Sequence, residues 1–164
     1  KGDVTADYLQ ELQETAQEGM RDMRLLIFQL HPPILESEGL VAALQARLAA
    51  VEGRAGLETE FNVEGDRRLP IAIENELYWI ALEALNNVLR HAAAHCVTVH
   101  LRFATDTAIL EVLDDGVGFD PQAIPDVDRG GLRTMAERAA SIRGVLTYGS
   151  VPSEGTWVRM ELAL

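Results

Sequence analysis

The chain has 164 residues, 48% of them hydrophobic, and a formal net charge of −12. That length and apolar content suffice for one buried core with room for an appendage, and the charge excludes a surface built to bind nucleic-acid phosphates. Lys1 is the only lysine, which closes the Walker-loop and eukaryotic-kinase solutions to phosphate binding. No apolar run reaches the roughly 18–20 residues of a membrane span, and no signal peptide is recognisable. The single cysteine, Cys96, fits a reducing compartment, so a soluble, cytoplasmic stretch without membrane contact is expected. Because the sequence opens on Lys1 rather than Met, it reads as a segment of a longer protein.

Val4, Tyr8, Leu12, Ala16, Met20, Met23, Ile27 and Leu30 recur every three or four residues, which predicts one long helix over residues 3–30. His31-Pro32-Pro33 stops it. A helix with so narrow a stripe needs a partner helix or a second copy of itself. Residues 37–51 form a second predicted helix, with Leu40, Ala43, Leu44 and Leu48 inward and Gly53 and Gly56 beyond its end. At Leu57 the period becomes two, predicting a strand that Gly65-Asp66 ends. Residues 74–94, opened by Pro70, read as an amphipathic helix with Leu77, Ala81, Ala84, Leu85, Val88 and Ala92 on one face and Glu83, Asn87 and Arg90 on the other. Residues 96–103 and 108–113 form a predicted hairpin, residues 132–143 a helix closed by Gly144, and residues 145–151 and 156–164 a final antiparallel pair. This order predicts an α+β sandwich, a mostly antiparallel sheet covered on one face by helices. The aperiodic segment 114–131 is long enough to be functional or disordered.

Four features carry chemistry. Glu83, Asn87, Arg90 and His91 fall within two turns of a helix whose polar face would otherwise be mere solvated surface. Asp114-x-Gly116-x-Gly118 leaves a strand; its glycines let backbone approach a flat or charged ligand, and its carboxylate can accept from an exocyclic amine such as that of adenine. Gly130-Gly131-Leu132 opens a helix whose free amides suit phosphate, with Arg129 and Arg133 adding charge. Gly155-Thr156 opens the last strand. Each is ordinary alone: a polar helix face, an Asp-Gly turn, a helix cap, a strand start. His91, His95 and Cys96 lie near one helix end, but no HExxH carboxylate accompanies them, and a helix-terminal pair of histidines accounts for them better than a zinc site.

Taken in this order, the four features resemble the N box, G1 box, G2 box and closing Gly-Thr of the ATP-binding catalytic domain of sensor histidine kinases, a branch of the GHKL ATPase superfamily. Asn86-Asn87-Val88-Leu89-Arg90-His91-Ala92 is similar to the N box of the NarL-type subfamily, with Arg90 where Lys is usual. Leu30-His31-Pro32-Pro33-Ile34-Leu35 and Gly39-Leu40-Val41-Ala42-Ala43-Leu44 resemble its junction between the second dimerisation helix and the catalytic domain. The resemblance implies a two-layer GHKL sandwich over residues 34–164, preceded by a remnant of the dimerisation and phosphoacceptor domain over 1–33. It implies ATP and Mg²⁺ as ligands, with Asn87 holding the metal and Glu83 orienting or activating the reacting group. Arg90, His91, Gly130, Gly131, Leu132 and Arg133 would lie by the phosphates, and Asp114, Gly116, Gly118 and Thr156 around the adenine. The partners it implies are the chain's own dimerisation domain in a homodimer and a response regulator, on the cytosolic side of a free or membrane-anchored sensor.

Two departures qualify the match. Arg129 replaces the first glycine of the usual lid motif, and no histidine of this chain fits the phosphoacceptor position. The chain is therefore expected to begin just after the acceptor, to bind nucleotide without autophosphorylating, and to have a lid over residues 124–130 that moves freely without nucleotide. The competing readings are another GHKL ATPase or anti-sigma-type serine kinase, and a degenerate nucleotide-free dimerisation module.

Overall fold

The structure, a computed structural model, describes residues 33–120 and 130–164. The predicted helix over 3–30, Arg129 and, except for Gly130, the predicted lid lie outside the described residues.

Helix α1 (Pro33–Ser37) and helix α2 (Leu40–Ala55) stand where a single helix over 37–51 is expected. Gly39 separates them at φ 93°, a conformation open to glycine, and a Cβ there would sit 2.7 Å from Nε of Arg68. Gly53, expected beyond the helix, lies inside it, and α2 ends instead on left-handed Gly56, whose N–H donates to the Glu52 carbonyl at 3.1 Å. A glycine inside a helix costs only about 1 kcal/mol relative to alanine, less than burial of Val51, Leu48, Leu44 and Leu40 on one stripe returns.

Strand β1 (Glu58–Glu64) leads into helix α3 (Ile71–Asn87), which continues through a π-helical turn, Val88–Ala92. The six apolar positions read from its period are all buried. Its entry is fixed by Glu74, 1% exposed, whose Oε1 accepts from the Leu69 N–H and the Arg68 guanidinium, both at 3.0 Å. Strands β2 (Cys96–Phe103) and β3 (Thr107–Asp114) form the expected hairpin, helix α4 (Gly130–Ser141) follows, and strands β4 (Val145–Val151) and β5 (Gly155–Ala163) close the chain. At the end of α4 the left-handed residue is Arg143, at φ 59°, and Gly144 donates back to the Ala139 carbonyl at 2.8 Å. Gly144 packs closely on β5: a Cβ there would displace the terminal methyl of Met160 and lie 3.0 Å from the Glu161 carbonyl.

The sheet order is β1-β2-β3-β5-β4, with β1 and β2 parallel and every other pair antiparallel. A parallel pair needs a crossover, and α3 supplies it. Register aligns Phe61, Val99, Val112, Val158 and Tyr148 in one row and Val63, Leu101, Leu110, Met160 and Leu146 in the next. Apart from Val63 and Tyr148, which are exposed on the edge strands, these rows face the helices and pack with Leu77, Leu85, Met135 and Ala139 in the core. The opposite face carries Glu60, His100, Arg102, Glu111, Arg159 and Glu161, with Arg159 ion-paired to Glu111 and Glu161. This is the expected α+β sandwich with one helix-covered face.

Candidate functional site

Beyond the last apolar row the same face of the sheet changes character. Thr59, Val97, Asp114, Thr156 and Ser150 are in register, so the inward side chain at the end of β3 is a carboxylate rather than a valine. A cavity of about 590 Å³ opens there between sheet and helices. Its wall is formed by Ala84, Asn87, Val88, His91 and Ala92 from α3 and its π turn, Val112 and Asp114 from β3, Gly118, Phe119 and Asp120 from the following loop, Gly131 and Leu132 from α4, and Thr156 and Val158 from β5.

Backbone contacts shape the sheet end. Asp114 Oδ1 accepts the Gly116 N–H at 2.9 Å, and the Thr156 N–H also bonds this carboxylate. Burial nevertheless outweighs those bonds and raises the Asp114 pKa above the ordinary value of 3.8. Asp115 behaves in the opposite way. Its Oδ1 accepts from the Cys96 and His95 N–H groups, at 2.9 and 2.8 Å, and these bonds lower its pKa. Asp115 thereby ties the end of β3 to the start of β2. The π turn is tied to the same loop, because the Ala92 carbonyl accepts the Val117 N–H at 2.8 Å. Gly116 makes this possible, since a Cβ there would strike the Ala92 carbonyl and lie 2.7 Å from its Cβ. A π turn is rare and concentrates at functional sites; here it brings His91 to the cavity wall.

At the helix end, Asn87 and His91 line the cavity and Gly131 faces them from α4. A Cβ on Gly131 would lie 2.5 Å from Glu83 Oε1 and 3.5 Å from both polar atoms of Asn87. Glu83 thus stands behind the opening of α4, one turn before Asn87. Asn86 points elsewhere: its Oδ1 accepts from Arg47 of α2 at 3.1 Å. The two adjacent asparagines, 100° apart around the helix, serve packing and cavity separately.

Of the residues singled out from the sequence, Asn87, His91, Asp114, Gly118, Gly131, Leu132 and Thr156 meet in this one cavity. Glu83 and Gly116 abut its wall. Arg90 is exposed at the π turn and does not line it. Gly130 begins α4 with open space around its Cα. Arg133 is exposed and its Nε is 2.9 Å from Glu137 Oε1 within α4, so it is not directed at the cavity. Sequence reasoning missed Ser150 and Phe119. The Ser150 hydroxyl accepts the Phe119 N–H at 2.8 Å and lies 2.9 Å from the Thr156 hydroxyl. A small polar residue facing Thr156 across the β4–β5 hairpin is the only sequence signal for it.

The described residues contain no cluster of three His, Cys, Asp or Glu side chains able to hold a metal by themselves. The neutral oxygen of Asn87 fits a magnesium ion that draws its other ligands from phosphate and water. Among the described residues no helix is long and apolar enough to cross a membrane.

Residues 72–164 match the family described as histidine kinase-, DNA gyrase B-, and HSP90-like ATPase. The sensor histidine kinase LiaS of Bacillus subtilis is 32% identical over 162 residues, 99% of this chain and 44% of its own length. The sensor histidine kinase MctS of Rhizobium johnstonii is 37% identical over 146 residues, 86% of this chain and 31% of its own. The chain therefore spans less than half the length of these curated relatives. Among solved structures, the histidine kinase domain of the Erythrobacter litoralis EL346 blue-light activated kinase superposes with a TM-score of 0.60 at 23% identity, covering 76% of this chain and 61% of that one. The Acinetobacter baumannii histidine kinase AdeS gives 0.60 at 15% identity over 99% and 85%. At these identities the superpositions speak to the fold.

Proposed function

Since the chain belongs to the family of histidine kinase-, DNA gyrase B- and HSP90-like ATPases, we propose that it is the ATP- and Mg²⁺-binding catalytic domain of a two-component sensor histidine kinase. The observation that carries this reading is the meeting of Asp114, Thr156, Asn87, His91 and Gly131 around one cavity. ATP, when bound, supplies the phosphoryl group; the chain's own residues position it.

Asp114 and Thr156 receive the base at the sheet end, between the apolar side chains of Val112, Val158 and Val88. Asn87 presents its side-chain oxygen for the metal, and His91 and the opening of α4 lie on the same side for the phosphates. Glu83, against Gly131, orients or activates the acceptor imidazole. Phosphoryl transfer asks a protein mainly for positioning and charge neutralisation, and this division of the cavity supplies both.

In the intact protein, residues 34–164 would act as the catalytic domain and 1–33 as the end of the dimerisation domain. The phosphate would go to a histidine outside this chain and then to a response regulator, in a cytosolic homodimer. Calorimetric titration of ATP, with and without Mg²⁺, tests the binding step. Saturable, magnesium-strengthened binding is expected, together with phosphorylation of a separately supplied dimerisation domain and no phosphohistidine on this chain alone. A folded chain that binds no ATP would sink the proposal.

A further inference from the structure

Three groups crowd the hydroxyl of Ser150. The Phe119 N–H approaches at 2.8 Å, the Gly155 carbonyl lies at 3.0 Å and the Thr156 hydroxyl at 2.9 Å. A serine hydroxyl has one proton and two lone pairs. The amide can only donate and the carbonyl can only accept, so the Ser150 proton goes to Gly155 and one lone pair goes to Phe119. What remains for Thr156 is a lone pair. The Thr156 hydroxyl therefore donates to Ser150, and only its own lone pairs are left for the cavity.

The neighbouring group has the same polarity. Asp114 takes the N–H groups of Gly116 and Thr156, and an ionised carboxylate has nothing to donate. Around this pair the wall is Val112, Val158 and Gly118, which bring no side-chain donor. The sheet end of the cavity thus offers two acceptors side by side.

We propose that Ser150 is a specificity-determining positioning residue: by consuming the Thr156 proton it keeps that hydroxyl an acceptor and makes the cavity favour a 6-amino purine over a 6-oxo purine. A 6-oxo purine sets a carbonyl lone pair where the amine would have donated, facing a carboxylate and a hydroxyl that cannot turn its proton toward it. An unmet acceptor in a buried site weakens binding. Without Ser150 the Thr156 hydroxyl rotates and donates to that carbonyl. This inference rests on the nucleotide reading of the cavity.

The test is direct titration of ATP and inosine triphosphate into the wild-type chain, Ser150→Ala, Ser150→Thr and Thr156→Val, each checked for cooperative thermal unfolding. Wild type is expected to prefer ATP, Ser150→Ala to reduce the ratio of the two Kd values at least fivefold, and Ser150→Thr, which keeps a hydroxyl, to restore it. A purely structural role would weaken both ligands alike and leave the ratio within twofold, which overturns the proposal. If Ser150→Ala fails to fold, Thr156→Val decides by sign: loss of an acceptor lowers the preference for ATP, whereas a raised preference shows that Thr156 was a donor to ligand and overturns the proposal. A folded wild type that binds neither triphosphate removes the nucleotide reading, and the inference with it; a wild type that prefers ATP while Ser150→Ala keeps its ratio removes the inference alone.

Discussion

At the sheet end of the cavity Asp114, Asp115 and Ser150 are each tied to backbone N–H groups, whereas at the helix end the side chains of Glu83, Asn87 and His91 stand without a hydrogen-bond or ion-pair partner among the described residues. Strand ends come with fixed register, so a carboxylate there finds amide donors at set positions, and its geometry is settled before any ligand arrives. A helix satisfies its own backbone and leaves its side chains to find partners. The helix end therefore waits for charge brought by a ligand, while the sheet end is already shaped. The two ends should respond differently to mutation, stability following the first and metal dependence the second.

The largest effect is expected at Gly155, which sits at φ 88° with the Asp114 carbonyl where a Cβ would go. Gly155→Ala should cost about 3 kcal/mol, combining backbone strain with overpacking, measured by denaturant unfolding. A loss under about 1 kcal/mol would show the sheet end to be pliable and would undo the contrast.

Asp114→Asn should weaken ATP roughly a hundredfold, about 2.7 kcal/mol, without loss of stability at neutral pH. The sign follows from the raised pKa: burial disfavours the ionised form, so the fold is penalised as pH rises through the folded value, and a neutral amide escapes that penalty. By the same shift, wild-type affinity should begin to fall on acidification at a higher pH than an unshifted aspartate would give, as Asp114 takes a proton and loses its charge and part of its accepting capacity. Titrations across pH would show this, and a profile shared by Asp114→Asn would refute it.

The smallest and sharpest test separates the two asparagines. Asn86→Ala removes an acceptor of the Arg47 guanidinium and should cost about 1 kcal/mol of stability with ATP affinity unchanged. Asn87→Ala should leave stability within about 0.5 kcal/mol and abolish the effect of Mg²⁺ on binding. Exchange of these two phenotypes would reverse the assignment.

Much of this was legible in the chain. The 3.6 period of α3 named its buried face because side-chain direction in a helix is a local property. The period of two read from Leu57 became β1, and the hairpin read over 96–113 became β2 and β3. Gly53 misled, because packing of the α2 stripe outweighs a glycine's modest helix penalty. Gly144 suggested the cap, but the left-handed residue is Arg143, and the glycine lies close against the Met160 side chain.

The sequence by itself determined which residues face inward, which turns break the elements and which polar side chains are out of place on their faces, since these depend on neighbours within a few positions. Only the tertiary structure decided that β1 lies parallel to β2, that the end of α3 opens into a π turn held by Val117, and that Asn86 and Asn87 part company. It also decided the proton on Thr156, through Ser150. Each of these depends on the register between strands or on which group a distant segment offers, and a hydrogen bond reaches only about 3 Å, too short a distance for periodicity to foretell.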